Sequence, residues 1–210
     1  MGESAGLAAQ QLRALGRLSE LLDASSHYLA GGSALAVHLA HRRSVDLDLF
    51  TRSEDVDLSE LRRRLSAVFD GETSETDATL RGTIGGVPVD IVRYPYPLLE
   101  PPALMVEGMP VAGLRDLAAM KLAAISKRGL RRDFWDLHEI TRRSLTLEAA
   151  LSAYQERFRI VSPEPYHTIR ALTYFGDAET DPIFPAGLSP ERWESIKADF
   201  RREVPRLLSP

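Results

Sequence analysis

The chain contains no cysteine among its 210 residues. That excludes disulfides, thiolate zinc sites and a cysteine nucleophile. No apolar run approaches the ~20 residues that a membrane-spanning helix needs. Met1 to Ser4 lack a basic region followed by an apolar one, so no secretory signal is expected and a cytoplasmic protein is. Lysine is scarce: of 26 basic residues only Lys121, Lys127 and Lys197 are Lys, and the other 23 are Arg. A GC-rich genome produces such a bias, and so does phosphate contact, for which the guanidinium fork is suited. The net charge of −4 argues against a general nucleic-acid coat but leaves room for a local basic patch.

What is present is a globular composition, 44% hydrophobic, in a length that suits one large domain or two small ones. Residues 5–23 carry Leu12, Leu15, Leu18, Leu21 and Leu22 at amphipathic-helix spacing. His27 to Ala30 reads as a short strand running into Gly31-Gly32, and Ser33 to Ala40 as a helix. Ser44 to Phe50 alternates strictly, which is the strand pattern, with Val45, Leu47 and Leu49 on one face. Ser59 to Phe69 predicts a helix with Arg62, Arg63 and Arg64 on its solvated side. Ala78 to Ile84 and Val87 to Arg93 predict a hairpin joined at Gly85-Gly86. A Pro-rich connector follows, with a short strand near Leu104 to Val106. From there helices are expected at Leu114–Lys127, Phe134–Arg142, Thr146–Arg157, Pro165–Phe175 and Pro190–Leu207. Gly129 would close the first of these five.

Two carboxylates on one strand face carry the chemistry. Residues two apart on a strand project to the same side, so Asp46 and Asp48 converge and repel unless a cation lies between them. Hard divalent cations take carboxylate oxygens. A solvated face with Arg partners is the plainer explanation. Upstream, Gly31, Gly32 and Ser33 open a helix, where backbone N–H groups and partial positive charge suit a phosphate. The Ser33 hydroxyl either donates to that phosphate or caps the helix. Asp90 lies among apolar residues of the hairpin, where an unpaired carboxylate is costly. It is a third metal ligand, or a strand-end residue paired with Arg81 or Arg93. Ser44, on the face of Asp46, is a candidate for orienting phosphate or metal-bound water. Together these describe a nucleoside triphosphate site. His38 and His41 have helical spacing, but nothing around them points to a transition metal.

Gly31-Gly32-Ser33, twelve residues, then Asp46-Leu47-Asp48 resembles the signature of the DNA polymerase β-like nucleotidyltransferases. The run from Tyr28 through Gly-Gly-Ser to Arg42-Arg43-Ser44-Val45-Asp46-Leu47-Asp48-Leu49-Phe50 resembles the AbiEii/AbiGii toxin family. So does Asp116 to Arg128, ending Arg132-Asp133-Phe134-Trp135-Asp136-Leu137. The likeness covers roughly residues 20–145.

The resemblance implies an α+β fold: a minimal nucleotidyltransferase core with a short mixed β-sheet flanked by helices (1–110), then an all-α C-terminal helical domain (111–210) completing the cleft. It implies transfer of NMP from an NTP to an acceptor hydroxyl with Mg²⁺, or Mn²⁺ in its place. Asp46, Asp48 and Asp90 would hold metal, and Lys121 and Asp136 would complete the catalytic set. Gly31, Gly32, Ser33, Ser44, Lys121 and Arg128 would bind the nucleotide. Lys121 is otherwise a snorkelling surface residue. Asp133 opens its helix and reads as an N-cap; Asp136, one turn inside, does not. The expected partners are the NTP, a tRNA 3′ end contacted by the Lys127–Arg132 loop, and an antitoxin encoded nearby, with no membrane. A protein or small-molecule acceptor, or a non-catalytic nucleotide-binding protein, are the alternatives.

Overall fold

The computed structural model describes residues 6–53, 56–159 and 165–207. Met1 to Ser4, read above for a signal, and Ala5, the first residue of the leading helical stretch, lie outside them. The chain divides after Gly113 into two compact units.

The first unit begins with helix α1 (Ala9–Ser19), whose buried side is Gln11, Ala14, Leu15 and Leu18. Strand β1 (His27–Ala30) is buried along its whole length and runs directly into α2 (Gly31–Leu39). Strand β2 (Leu47–Thr51) alternates buried and half-buried residues. It is shorter than the sequence pattern predicts. Ser44, Val45 and Asp46 form the bend before it, and Val45 is 77% exposed rather than part of the core. The alternation of residues 44–46 continues the β2 pattern only by coincidence, because β1 has no residue left to pair with them: its register ends at Ala30↔Asp48.

Asp57 caps α3 (Leu58–Leu65), accepting from the N–H groups of Ser59 and Glu60 at 2.9 and 3.0 Å. Leu58, Leu61 and Leu65 face inward, and Arg62 to Arg64 are exposed as expected. Strands β3 (Ser74–Glu75), β4 (Thr79–Ile84) and β5 (Val87–Arg93) follow. The Gly85-Gly86 turn has φ of +58° and +78°, the primed geometry whose twist suits a two-residue hairpin. A second hairpin joins β6 (Leu104–Val106) to β7 (Met109–Val111). Strand β7 escapes a sequence reading because Pro110 interrupts its three residues. Among the described residues the sheet has seven strands in the order β3-β4-β5-β2-β1-β7-β6, with parallel β2–β5 and β1–β7 pairs and the rest antiparallel.

The second unit is helical: α4 (Leu114–Lys127), α5 (Arg131–Arg143), α6 (Leu147–Phe158), α7 (Tyr166–Ala171), α8 (Gly176–Thr180) and α9 (Pro190–Leu207). Gly129 (φ +47°) follows α4, the left-handed position that glycine favours after a helix. Thr146 caps α6 through the N–H of Ala149. Phe134 anchors the core, its ring 5.0, 5.9 and 5.7 Å from those of Phe175, Trp193 and Phe200. Among the described residues no helix is long and apolar enough to cross a membrane.

Helices α4 and α6 are locked by an ion pair between Asp116 and Arg157, both side chains wholly buried. Removing one partner of such a pair strands the other charge, whereas replacing both with apolar groups does not. Asp116→Ala is therefore expected to cost about 3–5 kcal/mol of stability. The double change Asp116→Leu with Arg157→Met should recover most of it. Urea unfolding of the three proteins checks this; a double variant no more stable than the single one contradicts it.

Candidate active site

Register assembles the first group of charged residues. Strands β2 and β5 are parallel and place Asp48 opposite Asp90, on neighbouring strands ~4.8 Å apart and projecting to one face. Across the next strand Asp90 faces Arg81, and on the other side Asp48 faces Ala30. One row thus crosses four strands: Arg81, Asp90, Asp48, Ala30. Arg81 Nε donates to Asp90 Oδ2 at 3.0 Å, and Arg93 does not share this role: it donates to the carbonyl of Val56.

The row ends where α2 begins. Gly31 has φ +61°, and a Cβ there would lie 2.1 Å from Asp48 Oδ2. A Cβ on Gly32 would lie 2.8 Å from Arg42 Nη2 and 3.0 Å from Ser44 Oγ. Only glycines let a carboxylate, a guanidinium and a hydroxyl come this close to the start of a helix, where main-chain N–H groups have no intrahelical partner.

Asp46 reaches the same place from the bend before β2. Its carboxylate accepts from Ser44 Oγ at 2.8 Å. Its main-chain carbonyl accepts from the hydroxyl of Ser33 and from Gln11 Nε2, which also donates to the Ser44 carbonyl, both at 3.2 Å. Ser33 is wholly buried and its hydroxyl serves this loop; Ala30, not Ser33, holds the N-cap position of α2. Gln11 was not singled out from the sequence. Its signal was there: an amide on the apolar stripe of α1, two per cent exposed, must find buried partners. His38 Nε2 donates to the main-chain carbonyl of Ala112, 2.9 Å away.

Asp46, Asp48 and Ser44 are hard oxygen donors gathered at a glycine-opened helix, a set that fits a divalent cation. Among the described residues no group of three His, Asp or Glu side chains is placed to hold a metal ion. Mg²⁺ does not need such a group, since it uses one or two carboxylates and completes its shell with water and substrate phosphates.

The second unit holds the other group. Asp133 and Asp136, one turn apart on α5, both face α4. Lys121 Nζ lies 3.1 Å from Asp133 Oδ1 and 2.7 Å from Asp136 Oδ2, with neither carboxylate exposed. Arg128 forks onto Asp133, Nε and Nη2 at 3.0 and 3.2 Å. Asp133 is therefore not the cap it was expected to be. Helix α5 starts three residues earlier than expected, with Leu130 at the N-cap position, which puts Asp133 inside the first turn where the fork reaches it. Burial pushes the Asp133 carboxyl up, but Lys121 and Arg128 outweigh it and hold its pKa below the ordinary 3.8. Lys121 is buried and not a snorkelling surface residue.

A sequence profile of the family described as nucleotidyl transferase AbiEii toxin, type IV TA system, matches residues 13–97 and 76–209. An uncharacterized protein of Aquifex aeolicus is 31% identical over 205 residues, covering 95% of this chain and 96% of its own. The structure of MenT4, a nucleotidyltransferase toxin of Mycobacterium tuberculosis H37Rv, aligns with a TM-score of 0.61 at 16% identity, over 93% of this chain and 81% of its own. A putative nucleotidyltransferase of H. pylori aligns with a TM-score of 0.50 at 19% identity, over 96% of this chain and 99% of its own. At these identities the two structures establish a shared fold.

Two outcomes follow from the geometry. Gly31→Ala combines a left-handed φ with a collision against Asp48, whereas Gly86→Ala has the same sign of φ and open space around it. The Gly86 variant is expected to lose about 1–2 kcal/mol from backbone strain alone. The Gly31 variant should lose more, and thermal unfolding of the pair isolates the collision. The second outcome concerns pH. His138 faces Asp199 and Arg192; burial pushes its pKa below the ordinary 6.5 despite its bond to Asp199. The unfolded chain then binds its proton first, so stability is present above pH 6.5 and declines as pH falls below it. The lowered Asp133 adds stability above its ordinary 3.8 that is lost below that value. Thermal unfolding against pH should show both declines, and His138→Gln should reduce the upper one without abolishing it, because burial also lowers the pKa of His27.

Proposed function

The chain belongs to the AbiEii nucleotidyltransferase toxin family, and on that premise we propose that it transfers NMP from an NTP to the 3′-terminal hydroxyl of tRNA with the help of Mg²⁺. As a member it is a nucleotidyltransferase, and the family implies an NTP substrate and an antitoxin partner. We place its work in the cytoplasm, where NTPs and tRNA are found. The observation that carries the reading is the register of Asp48 with Asp90 beside the glycine-opened start of α2.

In the reaction the acceptor oxygen forms a bond to the α-phosphorus of the NTP. The bond from that phosphorus to the bridging oxygen breaks, and pyrophosphate leaves with its electrons. Asp46 and Asp48 are assigned to hold Mg²⁺, with Asp90 as third ligand or as the base that takes the acceptor proton. Mg²⁺ bound there supplies positive charge that makes the hydroxyl more acidic and neutralises the triphosphate. The N–H groups of Gly31, Gly32 and Ser33 face the phosphates, and Ser44 orients Asp46. The exposed Lys127, Arg128 and Arg132 are assigned to the tRNA backbone, so binding should weaken with salt.

The test is incubation with labelled NTPs, Mg²⁺ and total tRNA. The wild-type protein is expected to label tRNA, and Asp46→Ala and Asp48→Ala to label it more than about 100-fold less, the scale of several kcal/mol of lost charge stabilisation. Asp90→Asn should fail comparably. Arg81→Gln should stay within about fivefold, because an exposed ion pair is worth about 1 kcal/mol or less. Equal labelling by all variants overturns the proposal. A labelled product that survives RNase and not protease overturns the tRNA acceptor in favour of a protein.

A further inference from the structure

The sheet face that carries Asp48 and Asp90 also carries a run of aromatic rings. Strand periodicity places Phe50 two residues beyond Asp48, and Val92 and Tyr94 two and four beyond Asp90, all on the same side. Register sets Tyr28 opposite Phe50 and Phe50 opposite Val92. The rings touch in sequence. Tyr28 stacks on Phe50 with centroids 5.9 Å apart, Phe50 meets Tyr94 edge-on at 5.2 Å, and Tyr94 meets Tyr96 edge-on at 4.6 Å. Tyr28 is buried at one end, whereas Phe50, Tyr94 and Tyr96 are half-buried.

The outer end of the run is held stiffly. Tyr94 and Tyr96 alternate with Pro95 and Pro97, which fix their own φ and restrict the residue before each. The Tyr94 N–H donates to the Thr51 carbonyl at 2.9 Å, and the Tyr96 N–H to the Tyr94 carbonyl at 2.7 Å. Two rings are thus presented just beyond the end of a central strand with little freedom left to lose. Such rings suit nucleobases, because every base has a π face and stacking does not require a particular sequence.

We infer that Tyr94 and Tyr96 form a stacking platform for a nucleobase of the single-stranded acceptor end. The inference rests on the nucleotidyl-transfer reading above. Tyr94 follows the last residue of β5, four residues on from Asp90, about 13 Å at ~3.3 Å per extended residue. That offset suits a base set back from the reacting 3′ hydroxyl. A base of the NTP has the same chemistry, and the experiment separates the two.

Transfer to tRNA is measured with Tyr96→Ala, Tyr94→Ala and the corresponding Phe variants, at varied tRNA and varied NTP. Each Ala variant is expected to raise the tRNA KM about 5- to 100-fold, the scale of one lost base–aromatic stack. Its kcat should hold, its NTP KM should not move, and Phe should restore the tRNA KM. A rise in NTP KM alone overturns the acceptor assignment and gives the platform to the NTP. An unchanged KM for both substrates, with transfer intact, overturns the platform and leaves the transfer reading standing. A second measurement does not depend on turnover: quenching of 2-aminopurine near the 3′ end of a short single-stranded RNA. Quenching by the wild-type protein that Tyr96→Leu abolishes and Tyr96→Phe keeps supports the platform, even if nothing is transferred. Equal quenching by Tyr96→Leu and wild type overturns it. Unchanged circular dichroism and thermal midpoint show that the variants are folded.

Discussion

Two carboxylates side by side on a parallel ladder repel, and the arrangement persists only where other groups offset that charge. Here Asp48 and Asp90 are neighbours in register, and the surroundings supply the offset from both sides. Arg81 closes on Asp90 from the next strand. On the far side the row runs out at β1, where the chain turns at once into a helix whose first N–H groups lack intrahelical partners. Gly31 makes the meeting physically possible, since any side chain there would occupy the space of the Asp48 carboxylate. The rest of the first unit can be understood as keeping these strands in this register. The hairpin turn at Gly85-Gly86 aligns β4 with β5 and so Arg81 with Asp90, and α1 sends Gln11 under the loop that delivers Asp46.

That loop shows how a flexible approach is made firm. Asp46 stands outside the strand, so the ladder does not hold it. Two side chains do so instead, Ser33 from α2 and Gln11 from α1, both on the Asp46 carbonyl, while Ser44 engages the carboxylate. Buried polar groups of this kind stabilise little on balance but are costly when left unmatched. Their effect is to allow one position for the bend. A metal-binding or phosphate-binding carboxylate benefits from that, because pre-organisation removes an ordering cost from the binding step.

The second unit solves a different electrostatic problem. It buries Lys121 with Asp133 and Asp136, and Arg157 with Asp116, in a helical core of aromatic rings. Lys121 meets two carboxylates, and Arg128 adds the second cation that leaves Asp133 below its ordinary pKa. The group is close to neutral as a whole, which is the condition under which charges remain buried.

Much of this was legible from residue order alone. The short strand before Gly31-Gly32, the Gly85-Gly86 hairpin, the helix closed by Gly129 and the inward leucines of α3 all follow from local rules about periodicity and turn residues. Those rules act between near neighbours, so a sequence displays them. Membership of a nucleotidyltransferase family was likewise written in the spacing from Gly31 to Asp48 and in the Lys121–Asp136 segment. What local rules do not contain is partnership across the fold. They extend β2 back to Ser44, make Asp133 a cap and give Gln11 no part, because each outcome depends on a residue far away in sequence. The sequence by itself determined which residues could form the elements and which could carry charge to a phosphate. Only the tertiary structure decided that β2 lies parallel to β5, and it is this pairing that brings Asp48, Asp90 and the ring run from Tyr28 to Tyr96 onto one face. Strand pairing is a long-range choice, made by whole-sheet packing, and no residue announces it alone.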